Sequence, residues 1–404
     1  MSINFEDLAN KYQTPYYVYD FDHITKQYEE LKGAFKARKS LISYAVKANS
    51  NLSVVKHLGD LGAGADCVSI GEVKRALKVG IAPYKIIFSG VGKTDDEIRQ
   101  ALEFDILMIN LESEAELGRV DAIAKEISKT ARISIRVNPN VDPKTHPYIS
   151  TGLHENKFGV DIDTAKRMYI QAKKSDNLDP IGIHCHIGSQ LTELEPIKEA
   201  VNIITANLVK NLAAALKIEL KFFDVGGGLG IVYDNEVLID TYEYGQVILE
   251  ALFGLDITVV CEPGRSLVGN AGTFITKVLY EKVNGSKRFV IVDGAMNDLL
   301  RPALYDAYHR VEVLGKEDNI SDCNVVGPVC ESGDFFAKNV DLPLTEHNDL
   351  IAIHSAGAYG FTMASNYNTR GKVAEIAIED GVHRLIRRRE TFEDLIAHEE
   401  EFLK

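Results

Sequence analysis

Lys47 closes an apolar run, Leu41 to Lys47, and is the first residue whose type and place could do chemistry. A lysine enclosed at a strand end loses solvation, keeps its amine neutral and can attack a carbonyl carbon to form a Schiff base. Taken alone, a strand-end lysine reaching back to solvent is the commoner case. Further along, Gly226-Gly227-Gly228-Leu229-Gly230 leaves backbone N–H groups open to a close anion, and Arg265 adds a cation. A tight turn needing positive φ would look the same. The run is no dinucleotide fingerprint, because Ile231 stands where a third glycine is required. Glu262 opens Glu262-Pro263-Gly264-Arg265, and a carboxylate facing a heteroaromatic nitrogen holds that nitrogen protonated through a charge-assisted hydrogen bond. A Schiff-base lysine, a phosphate cradle and an acid for a ring nitrogen are together what pyridoxal phosphate asks of a protein.

His184 and His186 stand two apart in His184-Cys185-His186-Ile187-Gly188-Ser189, a spacing that puts both on one side of a strand. Such a pair is a route to zinc, but no third and fourth ligand are evident from the chain, so no metal is expected. A histidine stacked on an aromatic cofactor uses the same placement, and His184 reads best as a core residue. Cys330 lies in Gly327-Pro328-Val329-Cys330-Glu331-Ser332-Gly333-Asp334, a turn-rich stretch where a thiol is exposed and able to pass a proton. Cys67, Cys185 and Cys261 fall within strands and read as packing residues, and Cys323 gives no signal. Five cysteines without a Cys-x-x-Cys pair make neither a disulfide framework nor a thiolate zinc site.

The elements that must position these groups follow from periodicity. Eight short apolar runs alternate with amphipathic stretches: Leu41 to Lys47, Ala65 to Ser69, Lys85 to Ser89, Leu107 to Asn110, Ile133 to Asn138, Ile181 to Ile187, Phe222 to Gly226 and Thr258 to Glu262. Eight such units make a (β/α)8 TIM-type barrel over residues 25–270, and in that fold functional groups sit at the C-terminal ends of the strands. Lys47, Asp66, His186, Ser189, Gly227, Gly228, Glu262, Gly264 and Arg265 all fall at such ends. After Gly272 the pattern turns to alternating strands with hairpin signals at Asn284-Gly285 and Asp380-Gly381, which predicts an antiparallel β domain over 271–404, joined by the N-terminal strand Pro15 to Tyr19 within 1–24.

With 45% hydrophobic and 26% charged residues the chain can bury a large core. The net charge of -14 argues against a nucleic-acid partner, Arg387-Arg388-Arg389 being the single basic cluster. The longest apolar candidate, Ala206 to Leu220, is broken by polar and charged residues, so no membrane span is expected. No basic and apolar leader opens the chain, and a cytoplasmic location is expected.

In order and completeness these motifs resemble the diaminopimelate decarboxylase family within the alanine-racemase-like barrel group of pyridoxal-phosphate enzymes. The likeness runs from Tyr44-Ala45-Val46-Lys47-Ala48-Asn49 through His186-Ile187-Gly188-Ser189-Gln190 and the two loops above to Arg301-Pro302-Ala303-Leu304-Tyr305, Cys330-Glu331-Ser332-Gly333-Asp334 and Ala356-Gly357-Ala358-Tyr359-Gly360. The resemblance implies that Lys47 carries the cofactor, His186 stacks on its ring, Gly228 and Tyr359 help hold its phosphate, and Glu262 pairs with the pyridine nitrogen. Asp66, Ser189, Gly227, Gly264 and Arg265 complete the expected cofactor set. It also implies that Cys330 reprotonates the reacting carbon, and that Cys330 and Glu331 come from the partner subunit of a homodimer with shared sites. The substrate would be meso-diaminopimelate and the product L-lysine. Its far carboxylate would fall to Arg301 and its far ammonium to Glu331, with Tyr305, Arg265 and Tyr359 beside them. Sister decarboxylases acting on ornithine, arginine or carboxynorspermidine are the near alternatives, and a polyamine-precursor enzyme would need no distal cation. Alanine racemases place an arginine against the ring nitrogen, which Glu262 opposes. A non-catalytic decarboxylase-like regulatory binding protein is the alternative of another class, opposed by intact Lys47, Glu262 and Cys330.

Overall fold

The computed structural model describes residues 4–142 and 157–403. Two compact units divide the chain: Thr25–Ile231 with Val237–Ser266, and Met1–Ile24 with Val232–Glu236 and Leu267–Lys404. After β1 (Tyr16–Asp20), which belongs to the second unit, eight strands form the first: β2 (Ser40–Ala45), β3 (Gly64–Cys67), β4 (Ile86–Phe88), β5 (Met108–Leu111), β6 (Ala131–Arg136), β7 (Leu178–His184), β8 (Phe222–Asp224) and β9 (Thr258–Cys261). Each pairs in parallel with the next, and β2 pairs with β9 through Ser40↔Val259, Leu41↔Val260 and Ile42↔Cys261, which closes the barrel. Its lower interior is filled by Ile87, Leu107, Met108, Ile181 and Val260. The loops entering three of the outer helices end in a hydroxyl cap three residues before a glutamate: Ser69 for Ile70–Lys78, Thr94 for Asp95–Glu103 and Ser113 for Glu114–Glu126.

All eight expected strands are present, most of them ending before their apolar runs do, and two of those early ends matter most for the site. Strand β2 ends at Ala45, and Val46–Ala48 is a single 3-10 turn that carries Lys47. The Tyr44 hydroxyl donates to the carbonyl of Asn49 (2.9 Å) and draws the chain into that turn. Strand β7 ends at His184, so His186 lies in the loop beyond it and the two-residue alternation does not extend to its side chain.

The second unit is a nine-stranded sheet built from β1, β10 (Gly272–Asn284), β11 (Lys287–Val292), β12 (Val311–Val313), β13 (Ile320–Val326), β14 (Phe335–Pro343), β15 (Leu350–Ile353), β16 (Ala374–Glu379) and β17 (Val382–Arg387). Both expected hairpins are there. Asn284 pairs with Lys287 across Gly285, and Glu379 pairs with Val382 across Asp380 and Gly381, whose φ values of 51° and 75° suit a tight hairpin turn. The N-terminal strand joins this sheet between β10 and β16. It runs antiparallel to β10 and parallel to β16, and β11 with β13 is a second parallel pair, so the mostly antiparallel sheet that was expected includes two parallel pairs. No hairpin turn leads into β1 from its neighbours, so nothing local fixes its direction. Among the described residues no helix is long and apolar enough to cross a membrane.

Glu375, fully buried on β16, ties three strands together: it accepts from the Tyr19 hydroxyl of β1 (2.8 Å) and from Arg387 Nε of β17 (2.5 Å). Arg387→Ala removes the charged partner of that buried carboxylate and should lower unfolding free energy by about 2–3 kcal/mol in urea denaturation, less than a fully enclosed pair because Arg387 is part-exposed. Glu375→Gln, which removes the charge and keeps an acceptor for Tyr19, should cost less than Arg387→Ala.

Candidate active site

At the C-terminal mouth of the barrel the structure brings Lys47, Asp66, His184, Asp224 and Glu262 together. Lys47 Nζ lies 3.3 Å from Asp66 Oδ2. Its side chain is 39% exposed, so the enclosure expected from the apolar run is not met: the 3-10 turn lifts the lysine off the strand and sets its amine beside a carboxylate. Asp66 itself is buried, and burial first, then repulsion from Glu262, raises its carboxyl above the usual range, with Lys47 opposing. Two contacts hold the end of β2 against the end of β9. The Ala45 N–H donates to the Pro263 carbonyl (3.0 Å), and Gly264 packs so closely that a Cβ there would stand 3.1 Å from both Ala45 and Ala48.

Glu262, Asp224 and His184 are all buried, and one ligand atom from each lies within 4.8 Å of the others. Burial raises the Glu262 carboxyl, but His184, whose Nε2 is 3.2 Å away, Lys47 and the neighbouring Asp224 outweigh it and hold Glu262 well below the ordinary range. Asp224 goes the other way: burial, then the charge of Glu262, pushes it well above its ordinary value. The two acids therefore share one proton and Asp224 keeps it. Two carboxylates, Asp224 and Glu262, face His184, while His186 stands outside the cluster. Asp224 escaped the sequence analysis. Its signal was available, an acid ending an apolar strand two residues before the glycine run, but nothing local points it at Glu262.

Apart from the proton shared by Asp224 and Glu262, several of these atoms have no well-aligned hydrogen-bond partner among the described residues: Asp66 Oδ1, Asp224 Oδ2, Glu262 Oε1 and both ring nitrogens of His184, whose Nε2 stands within reach of Glu262. An ionised, buried carboxylate oxygen without a donor is costly, and a protonated pyridine nitrogen is a donor of the kind it lacks. The glycine run supplies the second element. A Cβ at Gly226 would come 2.4 Å from the Cys185 carbonyl, at Gly227 2.2 Å from the Glu262 carbonyl, and at Gly228, where φ is +117°, 2.6 Å from the Gly188 carbonyl. Glycine is required at all three because backbone meets backbone. Leu191 N–H donates to the Gly228 carbonyl (2.8 Å), and Arg265 donates to the Ser189 hydroxyl through Nε (3.3 Å) and Nη2 (3.2 Å), so the Ser189 loop, the glycine loop and Arg265 form one corner. His186 Nδ1 accepts from the Gly227 N–H (3.2 Å), and burial, with the charges of Arg136 and Lys47, keeps its imidazole well below the usual range and neutral. An amine, a glycine cradle with a cation, and an unpaired carboxylate oxygen fit pyridoxal phosphate.

The remaining expected residues lie in the β unit. Cys330 is the exposed thiol; Cys67, Cys185, Cys261 and Cys323 are buried, as packing residues are, and burial pushes Cys323 up to about 11. The Cys330 loop is pinned by Asp334, whose carboxylate accepts from Met296 N–H (2.7 Å) and Val329 N–H (2.7 Å), and by Asn368, whose Oδ1 accepts from Cys330 N–H (2.9 Å). Tyr367, which the sequence analysis did not single out, donates its hydroxyl to Glu331 Oε2 (2.9 Å). Tyr359 takes a left-handed φ of 57° between crowded neighbours: a Cβ at Gly360 would come 2.4 Å from the Ala356 carbonyl. Arg301 and Tyr305 open and close one short helix, Arg301–Tyr305, in which Arg301 is buried and Tyr305 half-buried.

Comparison with known proteins agrees with this chemistry. Residues 21–269 match the family described as pyridoxal-dependent decarboxylase, pyridoxal binding domain. The chain is 60% identical over 403 residues to the diaminopimelate decarboxylase of Campylobacter jejuni, covering 100% of both chains. It superposes on the crystal structure of diaminopimelate decarboxylase from Helicobacter pylori complexed with L-lysine with a TM-score of 0.96 and 56% identity, covering 99% of this chain and 100% of that one. The lysine/ornithine decarboxylase of Vibrio vulnificus, at 23% identity and a TM-score of 0.81 over 93% of this chain and 97% of that one, shares the fold.

The shared proton has a consequence for stability. Because the folded protein keeps Asp224 protonated to a higher pH than the unfolded chain does, this group stabilises the fold at low pH, and that contribution is lost as pH rises from the ordinary carboxylate range toward the raised value. Asp224→Asn removes the linkage while keeping a donor toward Glu262. Its melting temperature relative to the parent should therefore rise from acid to mildly alkaline buffer, and a relative fall in thermal melts would show that Asp224 is ionised in the fold.

Proposed function

The chain belongs to the diaminopimelate decarboxylases within the pyridoxal-dependent decarboxylase family, and we propose on that footing how its residues share the chemistry. It is a carboxy-lyase that removes one carboxylate of meso-2,6-diaminopimelate as CO2 and leaves L-lysine, the last step of lysine biosynthesis, with pyridoxal 5′-phosphate as cofactor. One observation supports the division of labour: an amine, a glycine cradle and an unpaired buried carboxylate oxygen share one barrel mouth, in a chain matching diaminopimelate decarboxylases end to end.

Lys47 Nζ would hold the aldehyde carbon of the cofactor, with Asp66 beside it to steady the amine. When bound, the cofactor supplies a conjugated ring that accepts the electron pair left on Cα as CO2 departs. Glu262, kept ionised by its surroundings, holds a proton on the ring nitrogen and so keeps that ring electron-poor. His186, kept neutral, would face the ring without repelling its positive charge. Gly227, Gly228, Ser189, Gly264, Arg265 and Tyr359 take the phosphate. Cys330 Sγ delivers the proton that replaces CO2 on Cα. Arg301 grips the far carboxylate with its planar fork, Glu331 takes the far ammonium, Tyr305 adds a hydroxyl, and Arg265 with Tyr359 lines the substrate between the two ends. Cys330 and Glu331 reach the site from the second subunit of a homodimer. The absence of disulfides among the described cysteines accords with a reducing, cytoplasmic setting.

The direct test is CO2 release from meso-diaminopimelate beside ornithine and arginine. Turnover of diaminopimelate alone is expected, and faster release from ornithine or arginine would remove the distal-carboxylate role from Arg301. The shared site has its own test. Lys47→Ala and Cys330→Ala, each inactive, should regain about a quarter of parental activity on mixing, since half of randomly exchanged dimers hold one site of two free of both lesions. No recovery after proven subunit exchange would place both residues in one subunit's site.

A further inference from the structure

Arg301 does not stand by itself in the β unit. Its guanidinium lies over the Tyr233 ring, 4.7 Å from the ring centre, and its Nη1 is 3.0 Å from His309 Nε2. The ring of His309 meets the same tyrosine edge-on, with centroids 5.5 Å apart and planes at 85°. The other ring nitrogen, His309 Nδ1, is 2.8 Å from the carbonyl oxygen of His354. His309 is 2% exposed and Arg301 8%.

The partners settle the imidazole's protons. A carbonyl oxygen only accepts, so Nδ1 carries the hydrogen and donates it to His354; a guanidinium only donates, so Nε2 is bare and accepts from Arg301. His309 is therefore a neutral ring with one face of its hydrogen bonding fixed to the backbone and the other to the cation. The backbone partner is itself rigid. His309 enters β12, which pairs with β15 through Val311↔Ile353, and the His354 N–H continues that ladder to the Arg310 carbonyl (3.0 Å). A sheet edge thus locks the imidazole, and the imidazole with Tyr233 locks the guanidinium. Arginine gains over lysine as a carboxylate grip through its fixed plane, and that gain requires the plane to be held.

We infer that His309 is a positioning residue for substrate specificity: wedged between the β15 backbone and Arg301 and backed by Tyr233, it orients the guanidinium toward the far carboxylate of the substrate. This rests on the assignment of that carboxylate to Arg301 made above. No role in the bond-breaking step falls to His309, since it acts through Arg301.

The product offers a test free of turnover. Decarboxylation at one amino-acid centre leaves the other intact, so L-lysine keeps the far carboxylate and ammonium, and pentane-1,5-diamine differs from it by that carboxylate alone. Binding of each to the holoenzyme is measured by titration calorimetry, together with kcat and KM for diaminopimelate. His309→Leu should weaken L-lysine about tenfold or more, leave the diamine within about twofold, and raise KM with the cofactor absorbance intact. His309→Gln, which keeps an acceptor where Nε2 was, should restore most of the preference, and His309→Asn, which keeps the Nδ1 donor alone, should not. If His309→Leu prevents folding, His309→Gln and His309→Asn decide. Equal loss in His309→Gln and His309→Asn, or equal loss of both ligands, would overturn the positioning role. Arg301→Ala separates the two levels: a lost preference in Arg301→Ala with an unchanged one in the His309 variants defeats the inference alone, whereas an unchanged preference in Arg301→Ala defeats the assignment of the carboxylate beneath it.

Discussion

Barrel closure is the constraint from which the site follows. The first barrel strand must pair with the last, and β2 does so with β9 over three residues at Ser40, Leu41 and Ile42. That pairing puts the turn after Ala45 against Pro263 and Gly264, so Lys47 and Glu262, more than two hundred residues apart in the chain, feel each other's charge. Loop-closure entropy of that length is repaid by the parallel ladder all round the ring and not by any single contact. The glycine at 264 is part of the same closure, because a side chain there would push the two strand ends apart.

Within that ring the electrostatics are set by crowding. Asp66, Asp224 and Glu262 are three acids out of water, and they cannot all be ionised at neutral pH. Lys47 compensates Asp66, the Glu262–Asp224 pair shares one proton, and His184 borders Glu262. A fold optimised for stability alone would replace such a group by apolar side chains. Keeping it leaves buried polar atoms unpartnered, and that preorganised deficit is what a charged heteroaromatic ring can fill. The glycine loop follows the same rule with shape in place of charge, since side chains are absent where backbones approach within contact distance.

In the β unit, precision comes from the ladder. Arg301 sits on a helix of five residues, too short to hold a guanidinium unaided. Its orientation is borrowed from Tyr233 and from His309, whose ring is fastened to the backbone of the β12–β15 edge. Cys330 and Glu331 are treated likewise: their loop is exposed, yet Asp334, Asn368 and Tyr367 fix its backbone and one carboxylate oxygen. Exposed reactive residues on a loop thereby gain a defined geometry without being buried.

What the sequence determined by itself is whatever is local. Alternating apolar runs and amphipathic helices specify eight βα units, hairpin turns at Gly285 and Asp380-Gly381 specify two strand pairs, and the turn of chemistry-bearing residues at strand ends marks Lys47, the glycine run and Glu262. Each of those signals spans fewer residues than one turn of chain reversal, so composition and spacing suffice to read it. Tertiary structure decided the rest. The parallel pairing of β1 with β16, the exposure of Lys47 on its 3-10 turn, the proton held by Asp224, and the hydrogen bond from Arg301 to His309 depend on which distant backbone arrives alongside. Orientation and charge state are properties of an environment, and in a closed barrel and a mixed sheet that environment is assembled from the whole length of the chain.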